Sequence, residues 1–137
     1  MKKLLTLIIL TLSLFASIEW QTDFAKAFTQ AKEQNKPLFV FIERHDPPCR
    51  WCQLMKRTTL SDEEIVNYIN KNFIAVRLVR ESSDYPDELY PNFVPTIYVI
   101  TPDERIIKKI VGYWPKEDFQ SDLLDIERAL SASKSNN

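Results

Sequence analysis

Leu38-Phe39-Val40-Phe41-Ile42 is an unbroken run of five large apolar residues with neither a helical nor an alternating polar break. A run so short and so apolar reads as a strand covered on both faces, which commits the chain to a sheet with helices on either side. The flanks agree: Asn35-Lys36-Pro37 stops the preceding segment, and Glu43 to Pro48 is a polar loop closed by two prolines. Upstream, Phe24, Ala27, Phe28 and Ala31 fall at i, i+3, i+4 and i+7, predicting a helix over 23–34 with Thr22 or Asp23 as its cap. Downstream, a helix is expected to begin near Cys49 and to carry Trp51, Leu54 and Met55 inward. Ser61-Asp62-Glu63-Glu64 reads as a capping box opening a second helical stretch, with Ile65, Tyr68 and Ile69 on one face.

Phe73 to Val79 is the next expected strand, with Ile74, Val76 and Leu78 on one face and Phe73, Ala75, Arg77 and Val79 on the other. Arg80 to Pro91 is polar and proline-interrupted, hence a loop with at most one helical turn. Thr96 to Ile100 and Arg105 to Val111 read as an antiparallel pair joined by the turn Thr101-Pro102-Asp103-Glu104. A last helix is expected over 116–130, with Phe119, Leu123, Ile126 and Leu130 inward, and 131–137 reads as a frayed polar tail. The fold class is therefore α/β: a central mixed four-stranded sheet flanked by helices, built as an N-terminal helix, a βαβ unit and a ββα unit. One domain over 18–130 accounts for the length.

Composition removes several functions. Gly112 is the only glycine, so no phosphate-cradling glycine loop or dinucleotide fingerprint can be written. A formal net charge of −1 gives no basic footprint for nucleic acid. Met1-Lys2-Lys3 followed by the apolar run Leu4 to Ala16 has the layout of a secretory signal over 1–17, shorter than a membrane span; an uncleaved N-terminal anchor is the alternative. A cut after Ala16 would put Leu14, not alanine, at the −3 position; removing 1–17 would leave a mildly acidic exported domain, periplasmic or secreted.

Export gives the two cysteines their meaning, because disulfides persist in oxidising compartments. Cys49-Arg50-Trp51-Cys52 closes almost no loop, so as a crosslink it would constrain little. Its spacing suits chemistry instead. A thiol at a helix N-terminus, next to a cation such as Arg50, is acidified from about 8.5 to roughly 3.5–7.5. Cys49, with its sulfur expected to be exposed, is then the attacking thiolate, and Cys52, one turn on, resolves the mixed disulfide. His45, the only histidine, is either a solvated loop residue or a proton carrier for the Cys49 thiolate. Trp51 shields the disulfide, contacts substrate or packs at the helix edge; Tyr113 and Trp114 read as core or rim aromatics. Zinc usually asks for four ligands and finds only His45 near this pair, and Gln53 stands where attached haem needs histidine.

A Cys-x-x-Cys at the head of a helix beside a βαβ unit, Lys36-Pro37 leading an apolar strand into it, Val94-Pro95-Thr96 opening a strand, and Val111-Gly112 ahead of a helix with Phe119 and Leu123 occur here in order across residues 20–130. In this the chain resembles the thioredoxin superfamily, in its secreted thioredoxin-related, disulfide-isomerase-like branch. The resemblance implies a thioredoxin-like fold, a redox-active disulfide with no other cofactor, and thiol–disulfide exchange with protein substrates. It implies that Pro95 is cis, lies against the sulfurs, and with Val94 forms the substrate platform. It also implies a buried carboxylate beneath the second cysteine. Counting back from Cys49 selects Glu43; counting along the strand from Pro37 selects Phe41, because the loop is about two residues longer than usual for this branch. Arg50-Trp51 matches none of the familiar reductase, oxidase or isomerase dipeptides. Reduction or isomerisation is favoured because the inserted helical domain of dedicated oxidases has no room. A monomer supplied by a membrane electron donor completes the expectation; the rival is a metal-binding chaperone or a non-catalytic adaptor.

Overall fold

The computed structural model describes residues 16–135. Its centre is β2 (Leu38–Glu43), buried along its whole length as the apolar run requires. Alternation sends Phe39 and Phe41 to one face of the sheet and Leu38, Val40 and Ile42 to the other. The neighbours of β2 are β3 (Ile74–Val79), parallel, and β4 (Thr96–Ile100), antiparallel. Next to β4 lies β5 (Ile106–Val111), and next to β3 lies a strand not foreseen, β1 (Trp20–Gln21), so the order is β1-β3-β2-β4-β5. Five strands therefore replace the four expected. Two residues are too few to show a periodicity, and β1 is set by its parallel register, Trp20 opposite Ala75 and Gln21 opposite Val76.

Helix α1 (Phe24–Gln34) covers the Leu38, Val40 and Ile42 face, burying Ala27 and Ala31 completely. Asp23, not Thr22, caps it by accepting from the Lys26 N–H at 3.0 Å, and Asn35 ends it in the left-handed conformation (φ 49°). The opposite face is covered by α2 (Arg50–Arg57), α3 (Glu63–Asn72) and α4 (Lys116–Ser135), which bring Met55, Ile65, Val66, Ile69, Phe119, Leu123 and Ile126 onto Phe39 and Phe41. The capping box shifts by one residue. Ser61 belongs to a 3-10 turn (Thr59–Ser61), and Asp62 caps α3 by accepting from the Glu64 and Ile65 N–H groups. Gly112, at φ 86° just past β5, takes a backbone conformation that favours glycine.

Two further segments differ from expectation. Helix α4 continues to Ser135, through most of the stretch read as a tail, and Ser131, Ser133 and Ser135 there donate their hydroxyls back to the carbonyls of Glu127, Leu130 and Ala132. At the other end, the expected leader lies outside the described residues up to residue 15. Ser17 and Glu19 are already part of the fold: Asn70 donates to the Ser17 carbonyl and accepts from the Glu19 N–H, both at 2.9 Å, and Ile18 between them is buried. Among the described residues no helix is long and apolar enough to cross a membrane.

Candidate active site

Cys49 is the N-cap of α2, with extended backbone (φ −103°, ψ 102°). N-caps are ordinarily oxygen-bearing side chains. Here the cap is sulfur: Cys49 Sγ accepts from the Cys52 N–H at 3.1 Å, while the Gln53 N–H closes the first turn on the Cys49 carbonyl. The two sulfurs are bonded to each other, with the Cα atoms 5.3 Å apart. No acidic side chain stands in the first turn to oppose the positive end of the helix.

The sulfur of Cys49 was expected to be exposed. Instead the residue retains 4% of its surface and Cys52 none. The cause is the loop before β4, which lays the Val94 carbonyl oxygen 3.8 Å from Cys49 Sγ. The Val94–Pro95 peptide is cis, as the resemblance implied; so is Asp46–Pro47, which was not foreseen. Hydrogen bonds hold that loop in place: Thr96 Oγ1 donates to the Phe93 carbonyl, and the Gly112 N–H donates to the Pro95 carbonyl at 2.8 Å.

Trp51 does not turn inward. The buried stripe of α2 is Cys52 and Met55, and Trp51 lies off it, half exposed, stacked on Tyr113 with ring centroids 5.9 Å apart. The Arg50 guanidinium sits over that indole, 5.5 Å from its centroid. Trp114 is a rim residue, and its carbonyl accepts from Thr59 Oγ1 at 2.6 Å, tying the segment after β5 to the end of α2.

Glu43, at the end of β2, lies on the same sheet face as Phe39 and Phe41, the face on which α2 packs, and is 1% exposed. Phe41 is plain core, so the count back from Cys49 is the one the fold follows. Two basic side chains and an imidazole surround the carboxylate: Lys56 Nζ lies 2.6 Å from Oε2, His45 Nε2 2.7 Å from Oε1, and Arg77 Nε 3.8 Å from Oε1. Oε2 is buried, and the Lys56 ammonium is the group that lies against it. Lys56 follows Cys52 by one turn, about 5–6 Å along the same face of α2. His45 thus serves Glu43 and not the sulfur. Its loop is fastened by Glu81, which accepts from the His45 and Asp46 N–H groups at 2.7 and 2.8 Å. Partial desolvation works against that carboxyl, but the two N–H donors hold it below its ordinary 4.5. Lys56 and Arg77 were not read as site residues; the signals were a lysine at i+4 from Cys52 and a lone arginine in an apolar strand.

Among the described residues no group of three or more His, Cys, Asp or Glu converges on a point that could hold a metal ion. The arrangement can exchange thiols and disulfides: one cysteine that keeps a little surface, its partner wholly enclosed, and a buried carboxylate on the sheet face against which α2 packs.

The family model described as thioredoxin-like matches residues 19–102. Spermatogenesis-associated protein 20 of Rattus norvegicus is 31% identical over 112 residues, which is 74% of this chain and 14% of that protein, so the chain spans about one-seventh of the length of that relative. Among solved structures, a thioredoxin from Thermus thermophilus superposes with a TM-score of 0.70 at 18% identity, over 80% of this chain and 87% of that one. A putative disulphide-isomerase from Bacteroides thetaiotaomicron gives 0.69 at 19% identity, over 82% and 95%. At these identities the two structures speak to the fold.

Proposed function

The chain belongs to the thioredoxin-like family, and on that premise we propose that it exchanges disulfides with protein substrates, with Cys49 as the attacking sulfur and Cys52 as the resolving one. The observation that carries this is the placement of Cys49: it caps α2, accepts the Cys52 N–H, is bonded to Cys52 and faces the cis Val94–Pro95 peptide. In the reduced protein the Cys49 thiolate attacks a substrate disulfide and expels one substrate thiolate. Cys52 then loses its proton to Glu43 and attacks Cys49 Sγ. The Cys49–substrate bond breaks, the second substrate thiolate leaves, and the two electrons taken up by the substrate have come from the two protein thiols. Val94 and Pro95 present the backbone against which a substrate lies, with Trp51 beside it; Arg50 adds positive charge at the mouth. The redox equivalent is the Cys49–Cys52 pair itself.

The direction we favour is reduction or isomerisation, supported by a domain that, among the described residues, carries no inserted helical region like that of dedicated oxidases. We place the protein outside the cytoplasm, as a monomer supplied by a membrane electron donor. The basic-then-apolar layout of residues 1–16 supports export, and the Asn70 clamp starts at Ser17, so a cut after Ala16 would leave every contact of the clamp in place.

The test is trapping. Cys52→Ala, incubated with oxidised extracellular proteins, should accumulate mixed disulfides that dissolve in dithiothreitol, and the unaltered protein should speed dithiothreitol-driven reduction of insulin. Cys49→Ala should do neither. A Cys52→Ala variant that traps nothing, beside an unaltered protein without insulin reduction, would contradict the assignment.

A further inference from the structure

Balancing the charge of Glu43 does not need a histidine. The carboxylate is inside the protein, and Lys56 on α2 and Arg77 on β3 already supply two permanent cations to it. Yet the loop after β2 bends back to bring a third group, His45 Nε2, to 2.7 Å from Oε1. Of the three partners this one stands most in water, with 55% of its side chain exposed against 39% for Arg77 and 20% for Lys56. The loop is not free to swing away, since Glu81, from the segment after β3, holds the His45 and Asp46 N–H groups. The result is a division of the carboxylate. Oε1 is held from the solvent side by a side chain whose charge can change near neutral pH. Oε2 lies against the ammonium of Lys56, which follows Cys52 by one turn on α2.

We propose that His45 is a positioning residue for the resolving step, its charge setting how readily the buried Glu43 carboxylate takes the proton of Cys52. This rests on the thiol–disulfide exchange proposed above. With the ring neutral, Nε2–H donates to Oε1 and orients Oε2 toward α2. Cys52 gives its proton to Oε2, its thiolate attacks Cys49 Sγ, the bond from Cys49 to the substrate sulfur breaks, and the substrate leaves as a thiolate. With the ring positive, a third cation lies against the carboxylate and disfavours its protonation. The groups that face this pair are Glu43, Lys56, Arg77 and Glu81; of all of them, histidine is the residue type that titrates between pH 5 and 8 without a large perturbation. Resolution is therefore slowed in acid and released toward neutral pH.

The reduced protein mixed with 5,5′-dithiobis(2-nitrobenzoate) separates the two steps. The first thionitrobenzoate released reports attack by Cys49, and the second reports Cys52 resolving the mixed disulfide. His45→Gln keeps an N–H donor and removes the titration; because the ring is half exposed, the fold should tolerate it. The ratio of the unaltered protein's second-phase rate to that of His45→Gln should rise by about tenfold between pH 5.5 and 8. In a Glu43→Gln background the same substitution should leave the ratio flat, which a merely structural role of His45 would not produce. A ratio that does not change with pH, or one that changes equally in the Glu43→Gln background, would overturn the role of His45. No first-phase release from the reduced protein would instead overturn the exchange reading on which it rests. Should Glu43→Gln not fold, the comparison of His45→Gln with the unaltered protein decides alone.

Discussion

Cys49 and Cys52 share one bond and are chemically unequal. Cys49 closes the first turn of α2 and keeps a sliver of surface; Cys52 is enclosed and presents its N–H to the sulfur of its partner. A nucleophile must be reached, so after reduction iodoacetamide should modify Cys49 at least about tenfold faster than Cys52. Peptide mapping of a brief pulse checks this; equal labelling would contradict the assigned roles. The pair was legible from its spacing, and Glu43 from a count that Phe41 contested. What the spacing could not supply was company. Lys56 and Arg77 come from α2 and β3, and chain proximity left His45 either a solvated loop residue or a neighbour of the sulfur, whereas the folded loop turns its ring to Glu43.

At the scale of elements, caps locate helix starts and buried stripes decide which way side chains point. Asp62 caps α3 and also pairs with Lys116 of α4 at 2.8 Å, joining the two helices. The Lys116 ammonium, against some desolvation and with help from the Ile65 and Glu64 N–H groups, holds the Asp62 carboxyl below its ordinary 3.8. A carboxyl depressed in the folded state stabilises it fully above the unfolded value, and that contribution is lost as pH falls through the lower folded value. Asp62→Ala should therefore cost about 1 kcal/mol at pH 7, typical of a lost N-cap, and the deficit should shrink as pH is lowered below 3.8. Urea unfolding of both proteins at pH 7 and near pH 3 measures it; a deficit that grew in acid would refute the cap. The strands and helices with strong periodicity or unbroken apolar runs were readable for the same physical reason that they form. Strand β1 was not, because two residues carry no pattern, and the end of α4 was not, because serine hydroxyls bonding back along the helix resemble a polar tail in one dimension. Trp51 failed at a finer grain: its neighbour Cys52 owns the inward position.

In the whole molecule, α2 and the segments at 93–96 and 111–114 meet at the disulfide, joined through the Gly112 N–H to Pro95, Thr59 Oγ1 to Trp114 and the Trp51–Tyr113 stack. That convergence makes a site of residues that are far apart in the chain. It also separates a working disulfide from a structural one, since the pair closes so short a loop that opening it frees almost no chain. The equilibrium between dithiol and disulfide is then the quantity on which the account turns. Poised in redox buffers and quenched with acid, Cys49 and Cys52 should interconvert in one reversible two-electron transition within about −270 to −120 mV, the span of thioredoxin-fold oxidoreductases. A pair that stays oxidised in buffers poised below about −300 mV, as structural disulfides do, would contradict the account.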